Sequence, residues 1–299
     1  MNNLADSKAQ SLLARRARYI QSGTTLSKKK ALDAHIKFIK ERQAHAKKRA
    51  DFRRQGRPLQ NQIAAALAKN NPGLRSALAA LQISVRRHAN TKPRRPSFPA
   101  VQPRISPGSI LSFLVPPYWN IWTNLTSPDS GGDASSITGN FGSDAVGDGS
   151  WNTGYGGVAG AYFPVSDSPV GHFRPFIRYS YNWLDSSALY TAHSDGYIHA
   201  AVYDFNPSGN ISQWPPMEQT VTIWQDGTGW YEQHSDSGDS VWAGVIDVPF
   251  PLTPGHAYAL WVWTEAHADD NGASAIAFSF AQANIQALCP FMVVEEAQA

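Results

Sequence analysis

Three His-x-Asp patterns are the residues of this chain whose types and spacing could do chemistry. They are His193-Ser194-Asp195, His234-Ser235-Asp236 and His267-Ala268-Asp269. On a β-strand, positions i and i+2 share a face, so each pattern would present one imidazole nitrogen and one carboxylate oxygen to the same metal ion. A hydrolase could use such a metal to activate water. The structural alternative is that an Asp before Gly, Ser or Asn is ordinary turn chemistry.

A concentration of basic residues near the N-terminus indicates a second chemistry, the binding of anions. Residues 1–104 hold 24 of the 26 Lys and Arg residues and only 4 acidic residues, a formal charge of +20. Nucleic acid carries one charge per phosphate, and basic helices bind it with little sequence preference. The alternatives are pairing with the chain's own acidic part or a solvated tail. The side chains predicted to bind an anionic polymer are Lys28, Lys29, Lys30, Lys47, Lys48, Arg49, Arg53, Arg54, Arg57, Arg86, Arg87, Arg94 and Arg95.

Tryptophan is the third signal, because all 10 Trp residues lie after residue 105. Exposed aromatic rings on a sandwich can stack on sugars, whereas buried ones fill the core. Trp119, Trp122, Trp214 and Trp230 lie near turn residues and are the candidates for a platform that binds a glycan or other ligand, whereas core or inter-subunit packing is the favoured interpretation of the tryptophans. Trp261 and Trp263 share a strand face that is either exposed or covered by the helical arm.

Several other classes of site have no support in the sequence. There is no Gly-rich phosphate loop, nucleophile elbow or paired-cysteine zinc motif, and we expect no cofactor. Cys289 is the only cysteine, so the chain cannot form an internal disulfide. No apolar run is long enough for a transmembrane segment, and the first ten residues lack the apolar core of a signal peptide. The localisation is therefore expected to be cytoplasmic by default.

The elements that would position these residues change in class near residue 100. Residues 105–299 contain 2 basic and 19 acidic residues, a formal charge of −17, and 20 of the 23 Gly residues. Five prolines in residues 91–108 favour an extended linker. We therefore predict a basic helical arm over 1–90, a Pro-rich linker over 91–108 and an acidic, Trp-rich β-sandwich over 109–299.

The arm has helix-forming composition over 25–55, where Leu32, Ile36 and Ile39 form one narrow apolar stripe. Leucines repeating at spacings of three and four predict a helical hairpin over 58–69 and 72–88. Short amphipathic helices bury little alone, so this hairpin needs a partner, either within the chain or in a second copy.

Beyond the linker the apolar period becomes two, as in Tyr258, Leu260 and Val262. Turn signals such as Asp195-Gly196, Ser237-Gly238 and Pro254-Gly255 separate the runs. Nine or ten strands are predicted, in a sandwich or jelly roll. The Gly/Ser/Asp-rich stretch 126–150 is interpreted as a long loop.

These patterns favour a non-enzymatic binding or assembly protein. Its sandwich would be attached through the basic arm to an anionic polymer, with nucleic acid favoured, or to neighbouring subunits of a homo-oligomer. A basic arm ahead of a jelly roll is also the general layout of many capsid proteins, which is an analogy of fold alone. The alternatives are a glycan-binding module and a metal-dependent hydrolase.

Overall fold

The chain forms one long helix and twelve strands within the residues that the computed structural model describes. These are residues 26–55, 93–96, 109–124, 129–147, 149, 151–188, 190–229, 232–242, 246–270 and 278–296, with single positions between 59 and 80. The helix α1 spans Lys28–Arg54. The strands are β1 Ile110–Leu114, β2 Asn120–Asn124, β3 Ser130–Ala134, β4 Asn140–Gly147, β5 Trp151–Tyr162, β6 Val170–Ala188, β7 Ala192–Phe205, β8 Met217–Gly227, β9 Glu232–Trp242, β10 Val248–Pro251, β11 Ala257–Asp270 and β12 Phe278–Glu296.

The strands form two antiparallel sheets that pack as a sandwich. The seven-stranded sheet has the order β10-β6-β12-β4-β3, with β1 added to β12 and β9 added to β6. The five-stranded sheet has the order β2-β5-β11-β7-β8. The predicted β-sandwich is confirmed, and the finer assignment to a jelly roll stays a prediction.

The period of two divides each strand between two environments. On β11, Tyr258, Leu260 and Val262 are fully buried in the core between the sheets. Trp261 and Trp263 alternate with them and lie on the opposite face of the same strand, in a separate cluster. Both faces of β11 are therefore covered. One face packs against the other sheet, and the opposite face packs in a cluster that includes residues of helix α1.

Helix α1 covers the outer face of the five-stranded sheet. Ser27 caps its N-terminus, since the Ser27 hydroxyl accepts a hydrogen bond from the Lys30 amide at 3.4 Å. The buried side chains of the helix are Ala31, Ala34, His35, Phe38 and Ile39, a stripe at helical spacing. The stripe predicted from the sequence, Leu32, Ile36 and Ile39, only partly coincides with the buried one. Ile39 is buried, whereas Leu32 and Ile36 are half-buried at the edge of the buried stripe. Two alanines and a histidine give little apolar signal in the sequence, yet they are three of the five buried residues of the helix.

The interpretation of residues 126–150 as a loop is wrong, because β3 and β4 lie there. Phe141 and Ala145 are buried on β4, which pairs with β12. The glycines permit close approach of the two sheets: a Cβ added to Gly132 would lie 1.7 Å from the carbonyl oxygen of Tyr155. Glycine at these positions therefore indicates close packing of one backbone against another, and not a turn of the chain.

Two of the predicted turns are also strand interior. Asp195-Gly196 lies within β7, where the register shifts beside Gly196, and Ser237-Gly238 lies within β9. A bulge uses the same residue types as a turn, which explains the error. Pro254-Gly255 does form a turn, with Gly255 at a φ of 80°. The predicted hairpin 58–88 and linker 91–108 lie largely outside the described residues.

Candidate functional site

The outer face of the five-stranded sheet carries an unusual row of side chains along its central strand. From the middle of β11 to its end, every second residue points to this face, and these residues are Trp261, Trp263, Glu265, His267 and Asp269. Each is at most 8% exposed. Buried ionisable groups are costly unless they are paired, so their partners define what this face can do.

His35 is the residue through which helix α1 contacts this row. Its ring stacks on Trp261, with centroids 4.1 Å apart and planes 1° from parallel. The rings of Trp122, Tyr203 and Trp263 meet its edges or faces at steep angles. His35 Nδ1 lies 3.0 Å from the Tyr203 hydroxyl, while Nε2 has no hydrogen-bond partner among the described residues. Burial lowers the pKa of His35 well below its ordinary value, and the charge of nearby His199 lowers it further.

A network of charged groups lies beside His35 at the edge of the helix. Arg42 of α1 donates to both carboxylate oxygens of Glu218, at 2.7 and 2.9 Å. His199 lies between two carboxylates, with Nδ1 3.2 Å from Glu218 and Nε2 3.1 Å from Glu265. Nδ1 is also 2.9 Å from the hydroxyl of Thr220. The helix thus supplies the one arginine of a network whose other members belong to the sheet.

The electrostatics of this network follow from burial and pairing together. Burial alone would raise the pKa of Glu218 and Glu265, but the hydrogen bond and charge of His199, with the charge of Arg42, outweigh it and lower both pKa values. Burial raises the pKa of Tyr155 well above its ordinary value, and the nearby Glu265 carboxylate adds to the rise. Tyr155 is therefore a neutral phenol beside the ionised carboxylate of Glu265.

Two of the three predicted His-x-Asp patterns meet on the same face, further along β11. In the register of β7 and β11, His267 stands opposite Asp195 and Asp269 stands opposite His193. His267 Nδ1 donates to Asp195 at 3.0 Å, and His193 Nε2 lies 3.2 Å from the other oxygen of Asp195. Burial alone would raise the pKa of Asp195, but the two imidazoles outweigh it and hold that pKa below its usual range. The Trp151 ring lies 5.1 Å from the His267 ring, so the pair is packed as well as bonded.

The third pattern lies on the other sheet. His234, on β9, pairs with Asp226 of β8 at 2.9 Å, and Asp236 accepts a hydrogen bond from the Tyr181 hydroxyl at 2.9 Å. Both His234 and Asp236 are exposed. Within the described part of the chain, no group of three or more His, Cys, Asp or Glu side chains is arranged to hold a metal ion. The three patterns therefore do not converge on a common site, since only two of them share a face.

The predicted anion-binding residues fall in three groups. Lys28, Lys29, Lys30, Lys47 and Lys48 are exposed on α1. Arg94 and Arg95 are exposed, and Arg95 forms an ion pair with Asp133. The side chains of Arg49, Arg53 and Arg54 on α1, and Arg57, Arg86 and Arg87, lie outside the described set. No helix among the described residues is long and apolar enough to cross a bilayer.

Three of the four predicted platform tryptophans gather around helix α1. Trp119, Trp122 and Trp214 are partly buried against the cluster that contains the helix stripe. Lys37 places its ammonium 4.3 Å from the centroid of Trp214, a cation–π contact that occupies one face of that ring. Trp230 lies outside the described residues. The ligand platform for a glycan stays a prediction.

Sequence reasoning missed the central members of the site: His35, Arg42, His199, Glu218 and Glu265. The alternation WVWTEAHADD of residues 261–270 is a signal that could have found Glu265, because it places an ionisable residue in the same row as two tryptophans. The partners His35, Arg42 and Glu218 all precede that row by more than 40 residues, and no local pattern connects them with it.

No protein-family model and no curated protein matches the chain. Solved structures that are similar to parts of it include the carbohydrate-binding module TmCBM61 in complex with beta-1,4-galactotriose, with 9% identity over 59% of this chain and 88% of that chain and a TM-score of 0.20. The enzymatically active domain of tailspike protein 4 of bacteriophage CBA120 has 8% identity over 62% of this chain and 19% of that chain, with a TM-score of 0.18. A structure of infectious bursal disease virus, Gt strain, has 9% identity over 69% and 43%, with a TM-score of 0.17. TM-scores this low do not establish a shared fold, so function is argued from this chain's own residues.

Proposed function

We propose that this protein is a non-enzymatic binding and assembly protein whose β-sandwich anchors a basic helical arm, and that the arm binds nucleic acid. The observation that carries the proposal is the two-faced character of α1. One face docks on the sandwich through Ala31, His35 and Ile39, while the lysines along the helix are exposed to solvent.

The geometry suits a polyanion. A helix of 27 residues is about 40 Å long, and the same length of duplex DNA carries about 24 phosphate charges. Lys28 and Lys48 are 20 residues apart, so the exposed lysines extend over about 30 Å of the helix. Binding along such a face requires no base-specific contact.

Within the part of the basic segment that the structure describes, ion pairs with the sandwich involve arginines and leave the lysines of α1 without a sandwich carboxylate. Among the described residues, its carboxylates form ion pairs with Arg42 and Arg95 of the basic segment. Lys37 pairs within the helix, with Glu41 at 4.0 Å. The Arg42 pair lies at the edge of the helix and the Arg95 pair lies outside it, so the exposed lysines of α1 are available to a partner.

The test is fluorescence anisotropy with labelled single-stranded RNA and duplex DNA from 50 to 300 mM salt. The logarithm of the association constant should fall linearly with the logarithm of salt concentration, with weak sequence preference. Replacing Lys28, Lys29 and Lys30 by Glu should weaken binding and make the salt dependence shallower by about 0.7–0.9 for each phosphate contact removed.

The same three lysines offer a matched control, since their replacement by Arg keeps the charge and should keep the affinity. Glutamate in the first turn also interacts favourably with the helix dipole, and α1 has no acidic residue there, so unfolding of the helix would not explain a loss of binding. Equal affinity of the Glu and Arg variants, or binding that salt does not weaken, would contradict the proposal. Light scattering of the full-length protein with and without nucleic acid measures assembly in the same samples.

A further inference from the structure

A fully buried imidazole, that of His35, lies in the interface between helix α1 and the sandwich. His35 is 0% exposed and is enclosed by Trp122, Tyr203, Trp261 and Trp263, with Nε2 lacking a hydrogen-bond partner among the described residues. A neutral ring fits this cage because one face stacks on Trp261 and Nδ1 meets the Tyr203 hydroxyl. A protonated ring would place a positive charge there with a second N–H that nothing described accepts.

The surrounding charges do not compensate such a proton. The titratable and charged groups facing this interface are Tyr155 on β5, His199 and Tyr203 on β7, Glu218 on β8, Glu265 on β11 and Arg42 on α1 itself. Both carboxylates are engaged by His199, and Glu218 is also engaged by Arg42. His199 opposes a charge on His35 and does not stabilise it.

We propose that protonation of His35 releases helix α1 from the five-stranded sheet in mildly acidic solution, so that attachment of the arm to the sandwich is controlled by pH. Release would expose the row of aromatic side chains that includes Trp261 and Trp263, and would free the arm from Glu218. This device is independent of what the lysine face of the arm binds.

The direction follows from linkage. His35 has a depressed pKa when docked and regains its ordinary pKa of about 6.5 when released, so the released state binds more protons. Docking is therefore strongest above pH 6.5 and weakens as the pH falls below it. The ratio of docked to released helix should fall about thirtyfold between pH 7.5 and 5.0, as long as the docked ring stays neutral over that range.

Glu218 and Glu265 affect docking in a lower pH range than His35 does, so their contribution can be distinguished from that of His35. The pKa values of Glu218 and Glu265 are lowered in the docked state, so their contribution is complete above about pH 4.5 and is lost only as the pH falls through the lowered values. A change between pH 7.5 and 5.0 is thus not caused by these two carboxylates, and the variants below assign it to His35.

Hydrogen exchange of the full-length protein measures the release. A helix that has lost its docking surface frays, so amide protection over residues 31–39, corrected for intrinsic exchange rates, reports docking. Its ratio to the protection of residues 257–270 of β11 should fall about thirtyfold from pH 7.5 to 5.0. A wild-type ratio that changes less than threefold would overturn the proposal.

Two variants remove the same hydrogen bond but differ in the titrating group. His35→Phe keeps an aromatic ring on Trp261 and cannot be protonated, so its ratio should be independent of pH. Tyr203→Phe also loses the contact with Nδ1 but retains the imidazole, and should keep the thirtyfold change. His45→Gln, at an exposed position of the same helix, should behave as wild type. A thirtyfold change in His35→Phe would refute the assignment to His35, and if that variant does not fold, the wild-type ratio alone decides.

Discussion

Replacing Ile39 by Ala tests whether the apolar stripe, and not charge, attaches helix α1 to the sandwich. Ile39 is 1% exposed and packs in the cluster that contains Tyr203 and Trp263. Truncating a buried Ile to Ala costs about 2–5 kcal/mol, from lost transfer free energy and the cavity left behind. Alanine is also the better helix former by a few tenths of a kcal/mol, which offsets little of this. The docking equilibrium should therefore fall by at least about fifteenfold.

The matched control is Ile36→Ala, three residues earlier on the same helix. It makes the same change of side chain and of helix propensity, but Ile36 is half-buried and lines an open groove with Asp33 and Lys40. Its effect should be well below that of Ile39→Ala. Hydrogen exchange of residues 31–39 at pH 7.5 measures both variants, and β11 should keep its protection in each. Equal loss in the two variants, or no loss in Ile39→Ala, would show that burial of this stripe does not hold the helix.

Two further changes probe the sheets. His267→Ala should destabilise the fold by about 1–3 kcal/mol, because it leaves the buried Asp195 carboxylate without one of its two imidazole partners. His234→Ala should change stability by less than about 0.5 kcal/mol, because the ion pair between His234 and Asp226 is exposed. Denaturant unfolding compares the two, and similar values would argue against a structural role for the buried pair. Gly132→Ala should lower the melting temperature, because the added Cβ would lie 1.7 Å from the Tyr155 carbonyl oxygen and would keep β3 from approaching β5. Gly131→Ala should be tolerated, because its added Cβ meets only the Asp144 carboxylate, at 3.2 Å. A thermal melt in which both alanine variants match the wild type would contradict this account of the glycines.

A change of structural class near residue 105 was predicted from composition, because charge and glycine content differ sharply there, and the described helix α1 lies before that point and all twelve described strands lie after it. The alternation of Tyr258, Leu260 and Val262 with Trp261 and Trp263 also predicted the two faces of β11 correctly. The alternation of side chains between two faces depends only on the backbone geometry of a strand, so it can be predicted without knowing which strands lie beside it.

Turns, loops and short strands were harder to predict. The glycines and aspartates of β3 and β4, and Asp195-Gly196 of β7, have the composition of chain reversals, but they lie in strands because pairing with neighbouring strands supplies their hydrogen bonds. Sheet formation is decided by partners distant in sequence, and local propensity is overridden when those partners are present.

The sequence by itself determined which residues alternate, where the charge lies and which segment is helical over 28–54. Only the tertiary structure decided that His35 stacks on Trp261, 226 residues away, and that Arg42 pairs with Glu218 beside His199. It also decided that His267 meets Asp195 and not its own neighbour Asp269. The physical reason is that a buried polar group must find its partner wherever the fold brings one within hydrogen-bond distance, and that distance is set by sheet register and helix docking rather than by spacing along the chain.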